Sequence, residues 1–148
     1  MSLLKLGALD GDDLAVISAH MQDAVMRVGD MKFLAKQKQF VVLANRFNWD
    51  DAGDEADGYQ RRRAGLHFNQ ISKARSSRIR NGAEDAILNL LSIEFEEQQA
   101  PSGTIRLNFA GGGVIELDAE CVDVWLADQG AEWGTGSKPE HDLDGEAG

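Results

Sequence analysis

The chain has 148 residues, 43% hydrophobic and 27% charged, the composition of one globular domain that can bury its own core without disulfide or metal support. Its net charge of −10 repels polyanions at long range, which argues against general nucleic-acid binding. No apolar run is long enough to span a bilayer, the N-terminus lacks a signal-peptide pattern, and the lone cysteine, Cys121, cannot close an internal disulfide, so a cytoplasmic protein without a membrane contact is expected.

Asp10, followed by Asp12 and Asp13, reads as the cap and acidic first turn of a helix, and Leu14, Ile17 and Met21 recur at helical spacing. A short amphipathic helix over residues 12–22 follows. The period then changes to two. Val25 and Met31–Leu34 flank a turn pair, Gly29-Asp30, and Gln37-Lys38 reads as another turn. Residues 40–49 form a long strand, apolar on both faces in its first half, which marks a central or covered position. Residues 50–58 are an exposed acidic loop without an apolar anchor.

A strand over Arg62–Phe68 places Ala64, Leu66 and Phe68 on one face and Arg63, Gly65 and His67 on the other. A shorter strand is expected around Ile71–Arg75. Ala86–Leu91 fits either a buried helical turn or a buried strand, whereas Leu91, Ile93 and Phe95 alternate with Ser92, Glu94 and Glu96 as a strand does. Pro101-Ser-Gly103 turns the chain into Thr104–Phe109, and the glycine run 111–113 joins this to Val114–Leu117 as a hairpin. It is not a phosphate loop, because no Lys-Ser/Thr and no helix follow it. Cys121, Val122, Val124, Trp125 and Leu126 form the last apolar element, and residues 134–148 read as a disordered acidic tail.

Residues 22–37 lie over residues 84–99 without a gap. Asp23/Asp85, Ala24/Ala86, Phe33/Phe95 and Gln37/Gln99 are identical, and Val25/Ile87, Met26/Leu88, Val28/Leu90 and Met31/Ile93 keep apolar character. Each copy of such a repeat needs its neighbour to bury its apolar face. The fold expected is α+β, mainly antiparallel β: two similar β-meander halves from an internal duplication, about 22–80 and 84–130, forming a small sandwich or open barrel with an N-terminal helix. Residues 1–133 would be the single domain.

The charge is uneven. Residues 1–74 hold ten basic and ten acidic side chains, and residues 75–148 hold five and fifteen. A contrary block, Arg61, Arg62, Arg63, Lys73, Arg75, Arg78 and Arg80, contains no acid between 61 and 80. It can recognise an anionic group or neutralise the acidic second half. In Asn45–Asp50, the Arg46 fork suits a carboxylate or phosphate and Phe47 with Trp49 suits a stacking platform; the alternative is an internal ion pair for Arg46 and core packing for the aromatics.

Catalytic constellations are thin. His20, His67 and His141 have no metal-ligand spacing, no Gly-x-Ser-x-Gly occurs, and Cys121 among apolar residues reads as a core thiol. Asp23 and Asp85 are either a symmetry-related acid/base pair or two backbone caps.

At Ser18-x-x-x-Gln22-Asp-Ala-Val25, Asn45-Arg-Phe-Asn-Trp49 and Phe109-Ala-Gly-Gly-Gly113 the chain resembles a small alphaproteobacterial family catalogued only as domain-of-unknown-function family 2948. The resemblance covers about residues 4–133 and implies a short bacterial cytoplasmic protein. It carries over no catalytic residue, cofactor or fold.

The leading functional expectation is a non-enzymatic interaction module. Its surface would comprise Arg46, Trp49, Arg61, Arg63, Arg75, Arg78 and Arg80, its partner a protein or a small anionic ligand, with no cofactor and no metal. The alternative is a small hydrolase using Asp23 and Asp85, with His67 as base. Unpaired sheet edges make a homodimer a further expectation.

Overall fold

A computed structural model describes residues 3–47, 61–80 and 82–129. Trp49, the acidic loop 50–58 and the tail 134–148 lie outside them. The described chain is mostly antiparallel β with one helix. In chain order the elements are β1 (Lys5–Ala8), α1 (Gly11–Met21), β2 (Val25–Arg27), β3 (Met31–Leu34), β4 (Gln39–Phe47), β5 (Arg61–Phe68), β6 (Ile71–Ser77), β7 (Ile87–Gln99), β8 (Ser102–Phe109), β9 (Val114–Ala119) and β10 (Val124–Asp128).

The helix starts where its cap predicts: the Asp10 side chain accepts a hydrogen bond from the Asp13 N–H at 2.8 Å. Leu14, Ile17 and Met21 are its buried stripe. Burial of three such side chains contributes roughly 1.5–3 kcal/mol each. A helical Ser18 also closes part of the sheet edge, its hydroxyl accepting from the Ile93 N–H at 2.8 Å.

The strands form one ten-stranded sheet in the order β1-β10-β5-β4-β2-β7-β8-β9-β6, with β3 also on β4, and the sheet does not close into a barrel. Only Asn69 and Gln70 link β5 to β6, yet these strands lie in opposite wings of that order. The sheet therefore curls over, and both wings and the helix share one apolar core that includes Leu14, Phe40, Leu66, Phe68, Ile105, Leu117 and Leu126.

The two segments that match in sequence meet at the middle of the sheet. β2 and β7 pair antiparallel with Met26 opposite Leu88, the equivalent residues of the match. Two flanking hydrogen bonds are also equivalent, Leu90 N–H to Ala24 O at 2.8 Å and Val28 N–H to Ala86 O at 3.0 Å. Further out, β2 leads through β4 to β5 and β7 leads through β8 to β9. The strand that follows is exchanged: β6 lies on β9, and β10 lies on β5. The two crossing links hydrogen-bond to each other, Asn69 N–H to Asp123 O and Glu120 N–H to Gln70 O.

The matched segments diverge after their first strand. Residues 28–30 form a 3-10 turn where β7 continues, and Gly29 sits against Glu84, donating its N–H to the Glu84 carbonyl at 2.9 Å. A Cβ at Gly29 would lie 3.1 Å from that same carbonyl oxygen. At the equivalent Leu91 the β7–β8 register slips between Leu90 and Ser92. This bulge turns Leu91 outward and Leu90 into the core, which corrects the inward phase expected for Leu91.

Candidate functional site

Along β4 the residues Phe40, Val42, Ala44 and Arg46 all point into the core, because strand residues two apart share a face. Along β10 the same holds for Val124, Leu126 and Asp128. Arg46 and Asp128 are both fully buried, on either side of β5. They form a fork: Arg46 Nε donates to Asp128 Oδ1 and Nη2 to Oδ2, each at 2.8 Å. Arg46 Nη1 donates to the Phe47 carbonyl at 3.0 Å, and the Leu4 N–H donates to Asp128 Oδ2 at 2.8 Å. The Arg46 guanidinium thus serves an internal acid, and no carboxylate or phosphate from solvent reaches it.

Phe47 lies on the outer face, not in the core. Arg61 stacks over it, 5.0 Å from guanidinium carbon to ring centroid. Arg61 Nη1 also donates to the carbonyls of Asp23 and Asn45 at 3.2 and 3.3 Å. Arg63 pairs with Asp30 at 3.5 Å.

On the outer face of the β6–β9–β8–β7 wing, charges alternate across four strands. Arg75 binds Asp118 at 2.8 Å and Glu116 at 3.6 Å. Arg106 binds Glu116 at 3.0 Å and Glu96 at 3.1 Å. The Arg75 hydrogen bond, with its positive charge, holds the Asp118 carboxyl below the usual carboxylate range. Arg75 and Arg106 are raised, first by their side-chain hydrogen bonds to Asp118 and to Glu96 and Glu116.

Arg78 and Arg80 differ from these. Both are exposed and form no ion pair among the described residues. Arg78 follows β6 with φ 60° and lies along the hairpin turn formed by Ala110–Gly113. Gly111 and Gly112 have φ 89° and 96°, a conformation that suits glycine, and a Cβ on Gly112 would lie 3.1 Å from Arg78 Nη1. The turn is closed by the Phe109 N–H to the Gly113 carbonyl at 2.9 Å, as its glycine run predicts.

The residues of the hydrolase alternative do not converge. Antiparallel pairing of β2 with β7 sets Asp23 beside Leu90 and leaves Asp85 beyond the opposite end, on the order of 20 Å away from the strand rise. Asp85 is almost fully exposed and pairs with Arg27 at 3.5 Å. His67 lies on β5 between Trp125 and Val41, where burial lowers its pKa. Cys121 is half-buried in the β9–β10 link, while its neighbour Val122 enters the core. No cluster of three or more His, Cys, Asp or Glu side chains among the described residues is placed to hold a metal ion, and no described helix is long and apolar enough to cross a membrane.

Two features were not anticipated, one buried and one exposed. Asp128 was hidden because its partner is 82 residues away in sequence, although its inward phase behind Val124 and Leu126 is a readable signal. Trp125 is partly exposed on the outer face of β10, its Nε1 donating to Asp123 Oδ1 at 2.7 Å. Its ring lies over Gly7 of β1, where any side chain would collide with it.

These features define an antiparallel β domain with one helix, a buried arginine–aspartate fork and a basic end beside a glycine turn. Comparison with family models matches residues 4–141 to the family described as "Protein of unknown function (DUF2948)", and the chain belongs to that family. No curated protein and no solved structure matches it.

Proposed function

We propose that this protein is a non-enzymatic interaction module that recognises an acidic group of a protein partner through Arg78 and Arg80. One observation carries the reading. In a chain with a net charge of −10, carboxylates take up Arg63, Arg75 and Arg106, yet Arg78 and Arg80 stay exposed without an ion pair among the described residues. An acid excess would neutralise these two cations if their only role were charge balance. The turn beside Arg78 leaves open space at Gly111, where no heavy atom outside the adjacent residues lies within 4 Å of a Cβ placed there, while the Arg78 side chain itself lies over Gly112.

Arg46 is not part of this surface, and Arg61, Arg63 and Arg75 are engaged by internal partners instead. The reading places the protein in the bacterial cytoplasm, in keeping with the single cysteine and the family resemblance. It also includes an internal repeat, supported by the equivalent residues Met26 and Leu88 standing opposite each other.

The test is capture from an extract of the native host on the immobilised full chain, wild type against the Arg78→Gln/Arg80→Gln variant, at low and high salt. Proteins held by wild type at low salt should be lost both in the variant and at high salt, since exposed charges are screened within about 10 Å at 0.1 M salt. The variant should melt within about 2 °C of wild type, because exposed charges add little to folding. Equal retention by the two proteins contradicts the proposal.

A further inference from the structure

We infer that the open edge of β6 accepts an extended acidic segment of a protein partner as an added strand. This rests on the reading of Arg78 and Arg80 above and supplies the binding mode. β6 ends the strand order, pairing with β9 on one side and, among the described residues, with no strand on the other. An unpaired edge presents a row of backbone N–H and C=O groups that another strand can satisfy. The register irregularity is confined to Ile71–Lys73, and from Lys73 to Ser77 the strand runs evenly opposite Asp118 to Val114. A partner of about five or six residues fits that length.

The other edges are poorer templates. β1 has four residues. The outer half of β7 carries Glu94, Glu96 and Glu97, which repel an acidic segment, and its inner part is met by Ser18 of the helix. Along β6 the exposed side chains are Ser72, Lys73, Ser76 and Ser77, with Arg78 and Arg80 continuing beyond. The serines are small enough to admit a neighbouring backbone, and the cations select its charge. Two β6 edges from two copies would set like charges opposite each other, which disfavours self-pairing. In strand addition the backbone hydrogen bonds give affinity and the side chains give selectivity.

The probe is the capped peptide Ac-Glu-Val-Glu-Val-Glu-Val-NH2, titrated calorimetrically into the full chain at low salt. Two analogues are N-methylated, one on the glutamates and one on the valines, with charge and side chains unchanged. An added strand turns only one set of N–H groups toward β6, so one analogue should lose at least tenfold in affinity and the other should bind like the parent. The Arg78→Gln/Arg80→Gln variant should weaken the parent peptide by roughly tenfold, the scale of two exposed ion pairs.

If both analogues bind like the parent, strand addition is overturned while recognition of acidic groups by the arginines stands. If the phase difference persists but the double variant binds unchanged, strand addition stands and the role of Arg78 and Arg80 fails. Absence of parent binding at millimolar peptide, or equal binding of the lysine counterpart Ac-Lys-Val-Lys-Val-Lys-Val-NH2, overturns the added acidic strand.

Discussion

Removing the Asp128 carboxylate should be among the most damaging single changes in this protein. Asp128→Ala deletes both 2.8 Å bonds to Arg46 and the 2.8 Å bond from the Leu4 N–H. It leaves a guanidinium with no exposure and, among the described residues, one remaining hydrogen-bond partner, the Phe47 carbonyl. Breaking a buried ion pair by removing one member costs about 3–5 kcal/mol, mostly the burden of the unpaired charge. For a domain of this size a kilocalorie moves the melting temperature by about 4 °C, so the loss should be roughly 12–20 °C. Replacing both members, Arg46→Met with Asp128→Leu, removes the charge along with its partner and should recover most of that loss. Thermal and urea melts of the two single variants and the double one form the cycle. Hydrogen exchange at β1 adds a local readout, because Asp128 ties Leu4 through its side chain and also through its own N–H to the Leu4 carbonyl at 2.9 Å. Asp128→Ala should therefore expose the amides of Lys5–Ala8 first. A single-variant cost under about 1 kcal/mol, or a double variant as unstable as the sum of the singles, would refute the reasoning.

Three other outcomes follow from the geometry. Asp118 has a depressed pKa, so the stability it contributes is present above the ordinary aspartate range and is lost as pH falls through its folded value; Asp118→Asn should flatten acid melts in that window, and less so at high salt. The His67 pKa is lowered by burial, so the unfolded chain takes up a proton first as pH falls below about 6.5; stability should decline from that point, and His67→Gln should remove that slope in melts between pH 7 and pH 5. Gly7→Ala should displace the Trp125 ring, costing about 1–3 kcal/mol and shifting the tryptophan fluorescence, which calorimetry and emission spectra would measure together.

Local pattern made much of the fold readable. The Asp10 cap and the Leu14, Ile17 and Met21 stripe specify α1, and alternation over Ala64–Phe68 and Ile105–Phe109 specifies inward faces, since these signals lie within one element. β1 was not readable, because Lys5–Ala8 has little strand propensity and owes its place to Asp128 and Trp125 on β10. The exchange of β6 and β10 was hidden for a different reason. Sequential strands usually pair with each other, and nothing in Asn69-Gln70 states that β6 crosses to β9. At the candidate site the arginine block was visible as composition, but the sorting of its members was not. Arg46, Arg63 and Arg75 find Asp128, Asp30 and Asp118 across long sequence separations, and only the register brings those pairs together. Arg78 and Arg80 are set apart by the turn at positive φ that follows β6.

The most direct test of recognition at the basic end of β6 is an amide chemical-shift map of the isotope-labelled full chain titrated with the acidic peptide Ac-Glu-Val-Glu-Val-Glu-Val-NH2. The account predicts shifts concentrated on Lys73–Arg80 and Ala110–Gly113 and abolished in the Arg78→Gln/Arg80→Gln variant. Shifts centred on Phe47, Arg61 and Trp125, or none at saturating peptide, would contradict it.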